Sequence, residues 1–213
     1  MKGCPLCSEN NRITLLQGPV NRSFLLCQNC FLIFSESRDH PSAEDERDRY
    51  LTHNNSIENK GYFDFLHKAV KPAMEFIKPG MKGLDYGCGP VPVLSLILEN
   101  SGFACDNYDP LFYPDLNREK NYDFIFAIEC SEHFFYPEKE FNQIKSLLKP
   151  GGILIIMTEL WTNINEFKNW WYTRDFTHVT FYHQETLKYI SKRYNLKCLF
   201  MDGRSVNVFR NSF

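Results

Sequence analysis

Four cysteines stand as two close pairs, Cys4 with Cys7 and Cys27 with Cys30, with nineteen residues between the pairs. Each C-x2-C turn can present two thiolates, and two such turns complete the closed tetrahedral shell of a structural zinc. All four positions are then filled by sulfur, so this ion has no open site for catalysis. Its work would be to fold about 35 residues that are too few to build a core alone. A second cluster is GLDYGCGPVPV, residues 83–93, where Gly87 and Gly89 let a turn approach a ligand closely and Pro92 suits the start of a following helix. Asp109 ends the next apolar run, FACDNYD, where it can accept hydrogen bonds from ribose hydroxyls. The pair reads as a site for an adenosine-type ligand. A third group could move protons: His178 in RDFTHVTFY, with Asp175 beside it to fix the imidazole tautomer, and then Glu132 and His133.

The elements that must position these residues follow from periodicity. GLDYG, FACDNYD, YDFIFAIE and ILIIMT read as strands, the last fully buried by its continuous apolar run. VLSLILENSG reads as a helix closed by Gly102, and PEKEFNQIKSLLKPGG as one with Phe141, Ile144 and Leu148 on a face, stopped by Pro150 and Gly151. A helix around QETLKYISKRY and two late strands, LKCLFM and SVNVF, complete an α/β, doubly wound sheet. Upstream, Phe63, Leu66, Val70, Met74 and Ile77 fall at helical spacing with a kink expected at Pro72. The polar, charge-mixed stretch 35–61 before them marks a boundary and linker. The expected organisation is a ribbon over 1–36, a linker and helix over 37–82, and the sheet domain over 83–213.

The acid and glycines of the turn, Asp85, Gly87 and Gly89, resemble the D-x-G-x-G signature of class I S-adenosylmethionine-dependent methyltransferases, although Val91 stands at the usual third small position. A dinucleotide turn would want a third glycine where Pro92 stands. YDFIFAIECSEHF and LLKPGGILIIMT look like that family's fourth strand and its helix, turn and fifth strand. With the ribbon added, the architecture is similar to bacterial sugar C-methyltransferases that carry a zinc ribbon. The resemblance implies a Rossmann-like sheet and S-adenosylmethionine as cofactor, held by Asp85, Gly87, Cys88, Gly89, Asp109, Pro110 and Glu129. Only twelve residues separate Asp109 from Tyr122, so the third helix and strand should be abbreviated or lost. Leu111, Phe112 or Leu116 of that stretch could shelter an adenine. Cys130 stands where 5-methylcytosine enzymes carry a nucleophile, but Glu129 replaces the proline expected before it.

The expected function is methyl transfer to a small molecule, a sugar or nucleotide-sugar, with His178 as base. The alternatives are an RNA or protein methyltransferase whose ribbon reads the macromolecule, and a binding module that has kept the fold. Residues 1–34 carry a net +2 against the roughly −2 of a Zn(Cys)4 centre, and the whole chain of 213 residues carries −2, which disfavours nucleic acid. Phe24, Leu25, Leu26, Phe31, Leu32, Ile33 and Phe34 look instead like a face that packs on something. Trp161, Trp170, Trp171 and Tyr172 offer either a substrate wall or core, and Tyr50, His53 and Asn54 either a lid or local contacts. No run has a membrane span's length and no signal peptide is visible, so a soluble, cytoplasmic protein is expected. The oligomeric state is not legible.

Overall fold

The structure is a computed structural model that describes residues 3–19, 22–52, 55–56 and 58–212. Its main sheet is built where the apolar runs lie: β4 (Lys82–Tyr86), β5 (Ala104–Tyr108), β6 (Tyr122–Ile128), β7 (Leu148–Met157), β9 (Leu196–Met201) and β10 (Val206–Asn211). The order is β5-β4-β6-β7-β10-β9, with β4 to β7 parallel and β10 antiparallel to both neighbours. The order reverses beside β4, which opens a crevice at the carboxyl ends of β4, β5 and β6. Among the described residues no strand lies outside β5, where a full sheet would carry its third. The short connection between Asp109 and Tyr122 carries only a bridge between Asp109 and Tyr113.

Both faces of the sheet are covered, which is why its central strands show no alternation. On one face Phe124, Phe126, Ile128, Ile153 and Ile155 pack under α2 (Lys60–Ala73) and α3 (Val93–Asn100). On the other, Ile125, Ala127, Leu154 and Ile156 pack with Phe141 and Ile144 of α4 (Pro137–Leu147) and Leu187 and Ile190 of α6 (Gln184–Arg193). None of the described helices is long and apolar enough to cross a membrane.

Local expectations fail at three ends. The chain leaves α4 at Leu147 and enters β7 directly, so Leu148 is a strand residue paired with Tyr122, and Pro150 and Gly151 sit in a register shift of that strand. The helix α2 ends at Ala73, one residue after Pro72, which has no N–H to give the carbonyl of Lys68, and Met74 and Ile77 lie beyond it. The stretch taken for a linker holds a helix, α1 (Ala43–Leu51), closed by a capping box in which Ser42 and Asp45 exchange hydrogen bonds. His53 and Asn54 lie outside the described residues.

The cysteine-bearing segment forms β1 (Ile13–Gln17), β2 (Ser23–Cys27) and β3 (Ile33–Ser35), an antiparallel sheet that gains a fourth strand, β8 (Thr180–Phe181), from the segment after β7. Its apolar face is buried: Phe24, Leu32 and Ile33 have no exposure, and Phe24 meets Phe167 of the short helix α5 (Ile164–Phe167) and Phe181 edge to face. Trp161 and the half-buried Trp170 pack with this same aromatic cluster, and with the exposed Trp171 they line a cavity of about 360 Å³. The join is closed by Arg22, whose Nη1 donates to the carbonyls of Thr173 (3.1 Å) and Asp175 (2.9 Å) and whose Nη2 donates to those of Phe176 (3.3 Å) and His178 (3.0 Å). Arg22→Met would keep an apolar stem, remove the guanidinium that lies over the Phe24 ring and strip four carbonyls of their donor. We expect a loss of about 3 kcal/mol and at least roughly tenfold faster amide exchange over residues 175–179, with β4 and β6 still protected. Hydrogen exchange followed by mass spectrometry checks this, and unchanged protection of that loop would show that β8 pairing alone holds it.

Candidate functional site

At the carboxyl ends of β4, β5 and β6 lies a cleft of two lobes that share Tyr50, Gly87, Asp109, Cys130 and His133. One lobe, of about 240 Å³, runs past Cys88, Gly89 and Glu129 to Glu132 and His178. The other, of about 290 Å³, is walled by Tyr108, Pro110, Leu111 and Phe134. Leu111 of the proposed adenine shelf therefore faces the cleft, while Phe112 packs under Arg47.

The glycine turn has two different reasons for its glycines. At Gly87, φ is +83° and a Cβ would stand 2.4 Å from the Cβ of Cys130, so neither conformation nor space admits a side chain. At Gly89, φ is +67° and nothing lies within 4 Å, so its backbone faces open space where a ligand can approach. Asp109 ties the turn down: its Oδ2 accepts from Gly89 N (3.0 Å), and its Oδ1 from Leu111 N (2.9 Å) and Phe112 N (3.2 Å). Burial raises its pKa and these three amides offset part of the rise. Asp85 does not line either lobe. It is buried behind the turn, and burial, with the charge of Asp109, pushes its pKa up to about 7.

The residues after β6 make the other end. Glu129 is held at φ +46°, an unusual conformation for a residue with a side chain, at the strand's last carbonyl. A short turn, Ser131–His133, follows and is docked on β8: Val179 N donates to Glu132 O (2.9 Å), and Thr180 Oγ1 and Tyr182 OH both donate to Ser131 O (3.0 Å). The fully buried Glu132 accepts from the Tyr172 hydroxyl through Oε1, and the same hydroxyl lies 3.2 Å from Glu129 Oε2. Burial pushes Glu132 up to about 7 against the pull of that hydroxyl, and raises Glu129 well above the carboxylate range. Tyr172 is thus the one member of the aromatic run that meets the acids of the cleft, and nothing in its local sequence marked it.

His178 is buried and lines the cleft, but Asp175 makes no hydrogen bond to its ring. The Nδ1 of His178 lies 2.8 Å from Tyr172 O, and the Nδ1 of His133 lies 3.0 Å from Thr177 O. A carbonyl can only accept, so each imidazole, when neutral, carries its proton on Nδ1 and keeps the lone pair on Nε2. Burial lowers the His178 pKa to about 4, so the ring is neutral at pH 7. Asp175 binds Arg49 of α1 (2.6 and 3.0 Å) and the Thr177 hydroxyl (2.7 Å) instead. Burial opposes its ionisation, but the Thr177 donors, His178 and Arg49 hold its carboxyl well below the usual range. The helix α1 is consequently strapped across the cleft by Arg49 in its last turn and by Arg47 at its middle, which donates to Leu111 O. The S-x-x-D cap at Ser42 was the available signal for it. Cys130 donates to Tyr86 O (3.1 Å) and burial raises its pKa, so it is an unreactive packing thiol.

The four ribbon thiols converge. The Sγ atoms of Cys4 and Cys30, and of Cys7 and Cys27, are each 3.5 Å apart, and all four lie within 4.8 Å of one another. Thiolates about 2.3 Å from one tetrahedral ion stand about 3.8 Å apart, so the set fits zinc with shifts of tenths of an ångström.

Residues 53–199, more than half of the chain, match the model of a family described as a methyltransferase domain. The chain belongs to this family. It is an enzyme of the methyltransferase class with the fold of class I S-adenosylmethionine-dependent methyltransferases. Among solved structures the methyltransferase is similar to 1,6-didemethyltoxoflavin-N1-methyltransferase of Burkholderia thailandensis, at 12% identity, TM-score 0.59 and coverage of 91% of this chain and 97% of that one. It is also similar to the N-methyltransferase NodS of Bradyrhizobium japonicum, at 14% identity, TM-score 0.53 and coverage of 81% and 100%. Both of those structures contain S-adenosylhomocysteine, and the first also contains 1,6-didemethyltoxoflavin. No functionally curated protein matches the sequence.

Asp85 yields a test of the cleft's electrostatics. Besides Asp109, the titratable groups in its field are Tyr62, Cys88, Cys105 and Cys130, none of them a cation. A carboxyl raised from about 3.9 in the unfolded chain to about 7 in the fold costs nothing below pH 4, and an increasing amount as pH rises to 7 and beyond. Asp85→Asn should therefore leave stability at pH 4 unchanged and raise it at pH 8 by on the order of 3 kcal/mol in the ligand-free protein. Denaturant melts at the two pH values measure this, and equal effects at both would refute the raised pKa.

Proposed function

We propose that this methyltransferase transfers a methyl group from S-adenosylmethionine to a small-molecule acceptor of the sugar or nucleotide-sugar class. The observation that carries this reading is the two-lobed cleft divided at Gly87 and Asp109, with apolar walls on one side and Glu132, His133 and His178 on the other. S-adenosylmethionine supplies a methyl carbon on a sulfonium sulfur, open to in-line displacement by a nucleophile. In this reading the adenine end lies along Pro110 and Leu111, and Asp109 uses lone pairs not spent on the three amides to accept from the ribose. The Gly89 backbone passes the methionine part, while Asp85 and Glu129 supply negative field towards its ammonium and sulfonium charges. The acceptor enters beside His178, whose unprotonated Nε2 polarises the nucleophilic group, with Glu132 and His133 holding it in line. The ribbon reads nothing: its apolar face and Arg22 are spent inside the molecule. Its four thiolates hold a structural zinc.

Calorimetry with S-adenosylhomocysteine and with NAD tests the cofactor. Binding of the first and not the second is expected, and Asp109→Ala should weaken it by roughly 10- to 100-fold, as for loss of a charge-assisted hydrogen bond. Unchanged affinity in a folded variant would move the ribose contact away from Asp109. Asp106 would not inherit it easily, since it is engaged with Lys120 (2.7 Å) and Tyr122 (2.9 Å) at the sheet edge. Elemental analysis should find one zinc per chain held by thiolate. Four freely titrating ribbon thiols in folded, zinc-free protein would refute that site.

A further inference from the structure

We propose that Glu46 of α1 is a cofactor-binding residue that accepts one of the two ribose hydroxyls of S-adenosylmethionine while Asp109 accepts the other; this rests on the reading of the cleft as the site of that cofactor. The ribose carries a 2′,3′-diol and so brings two donors. A carboxylate offers about four lone-pair sites, and main-chain amides take three of those on Asp109: Gly89 N on Oδ2, and Leu111 N and Phe112 N on Oδ1. About one site is left, on Oδ2, which serves a single hydroxyl. The diol needs a second acceptor.

Glu46 supplies it. It lines the same lobe of the cleft as Asp109, whereas Glu140, another acid of that lobe, is engaged by the Tyr86 hydroxyl (2.6 Å). Among the described residues the half-buried Glu46 carboxylate has no hydrogen-bond or ion-pair partner. Burial and the charge of Asp109 push its pKa up to about 7, as expected where two acids share a poorly solvated space. Two hydroxyl donors placed between them would favour the charged form of each.

The helix is held so as to present this acid. None of the residues of α1 is buried, so apolar packing of its own side chains does not fix it. It is held by Arg49 on Asp175, by Arg47 on Leu111 O, and by the Tyr50 ring against Phe112 (6.3 Å). Glu46 and Tyr50, four residues apart on one helix face, both line the lobe. A face turned towards a protein interior ordinarily carries apolar side chains, and an acid there is costly unless a ligand pairs with it. With Asp109 it forms a clamp that recognises the diol itself, because a cofactor lacking either hydroxyl leaves a partly buried carboxylate unpaired.

Calorimetry on the full-length chain tests this by comparing S-adenosylhomocysteine with its 2′-deoxy and 3′-deoxy analogues. Glu46→Ala is expected to weaken S-adenosylhomocysteine by roughly 10- to 100-fold, as for loss of a charge-assisted hydrogen bond. The same substitution should leave the affinity of one deoxy analogue unchanged, namely the one without the hydroxyl that Glu46 holds. Glu46→Gln keeps an acceptor oxygen without the charge and should fall between wild type and Glu46→Ala. A loss of equal size with both deoxy analogues would place the effect in the fold or elsewhere on the ligand and overturn the proposal, as would wild-type affinity for S-adenosylhomocysteine in Glu46→Ala. Either result, with wild-type protein binding S-adenosylhomocysteine, leaves the methyl-transfer reading standing. Wild-type protein that binds no S-adenosylhomocysteine would overturn both.

Discussion

The active end of this molecule hangs on one guanidinium. Arg22, on the ribbon, meets four main-chain carbonyls of residues 173–178, and a planar fork of five donors is the side chain able to do this at once. That loop carries His178 and continues into β8, which holds the Ser131–His133 turn through three hydrogen bonds to Ser131 and Glu132. Asp175 from the same loop grips Arg49 and so places α1 above the cleft. The ribbon is therefore structural in a specific sense: it holds the main chain of the loop whose side chains reach the cleft.

The second constraint is electrostatic. Glu46, Asp109, Glu129 and Glu132 line one cleft with Asp85 buried behind its glycine turn, and burial raises the pKa of each. Collecting acids where solvent cannot screen them costs stability, and such a cost is usual where a site is prepared for charge. A ligand with a sulfonium and an ammonium would relieve it. The left-handed backbone at Glu129 belongs with these features, as local strain held by a well-packed strand.

The aromatic residues show how tertiary context divides similar side chains. Trp161 and Trp170 fill the seam between the ribbon sheet and the segment after β7, Trp171 faces solvent, and Tyr172 alone turns its hydroxyl to the buried acids. The same seam accounts for much of the apolar face of the ribbon, where Phe24 is buried against Phe167 and Phe181 while Leu15 and Phe31 stay exposed.

Features set by short-range chain geometry were legible in the sequence. The spacing of Cys4, Cys7, Cys27 and Cys30, the glycines of the turn after β4, the buried runs of β6 and β7 and the shortened segment before Tyr122 all follow from residue types a few positions apart. The cap at Ser42 was legible too, but the charge-rich composition around it argued for a linker. What only the tertiary structure decided is which distant groups meet. Arg22 with the 173–178 carbonyls, Asp175 with Arg49 in place of His178, Tyr172 with two acids, and His133 with His178 are contacts between segments far apart in the chain. Their partners are backbone carbonyls or single side chains without sequence signature. Such contacts form only after the sheet and the ribbon have closed the intervening loops, a step whose geometry depends on packing and not on local spacing.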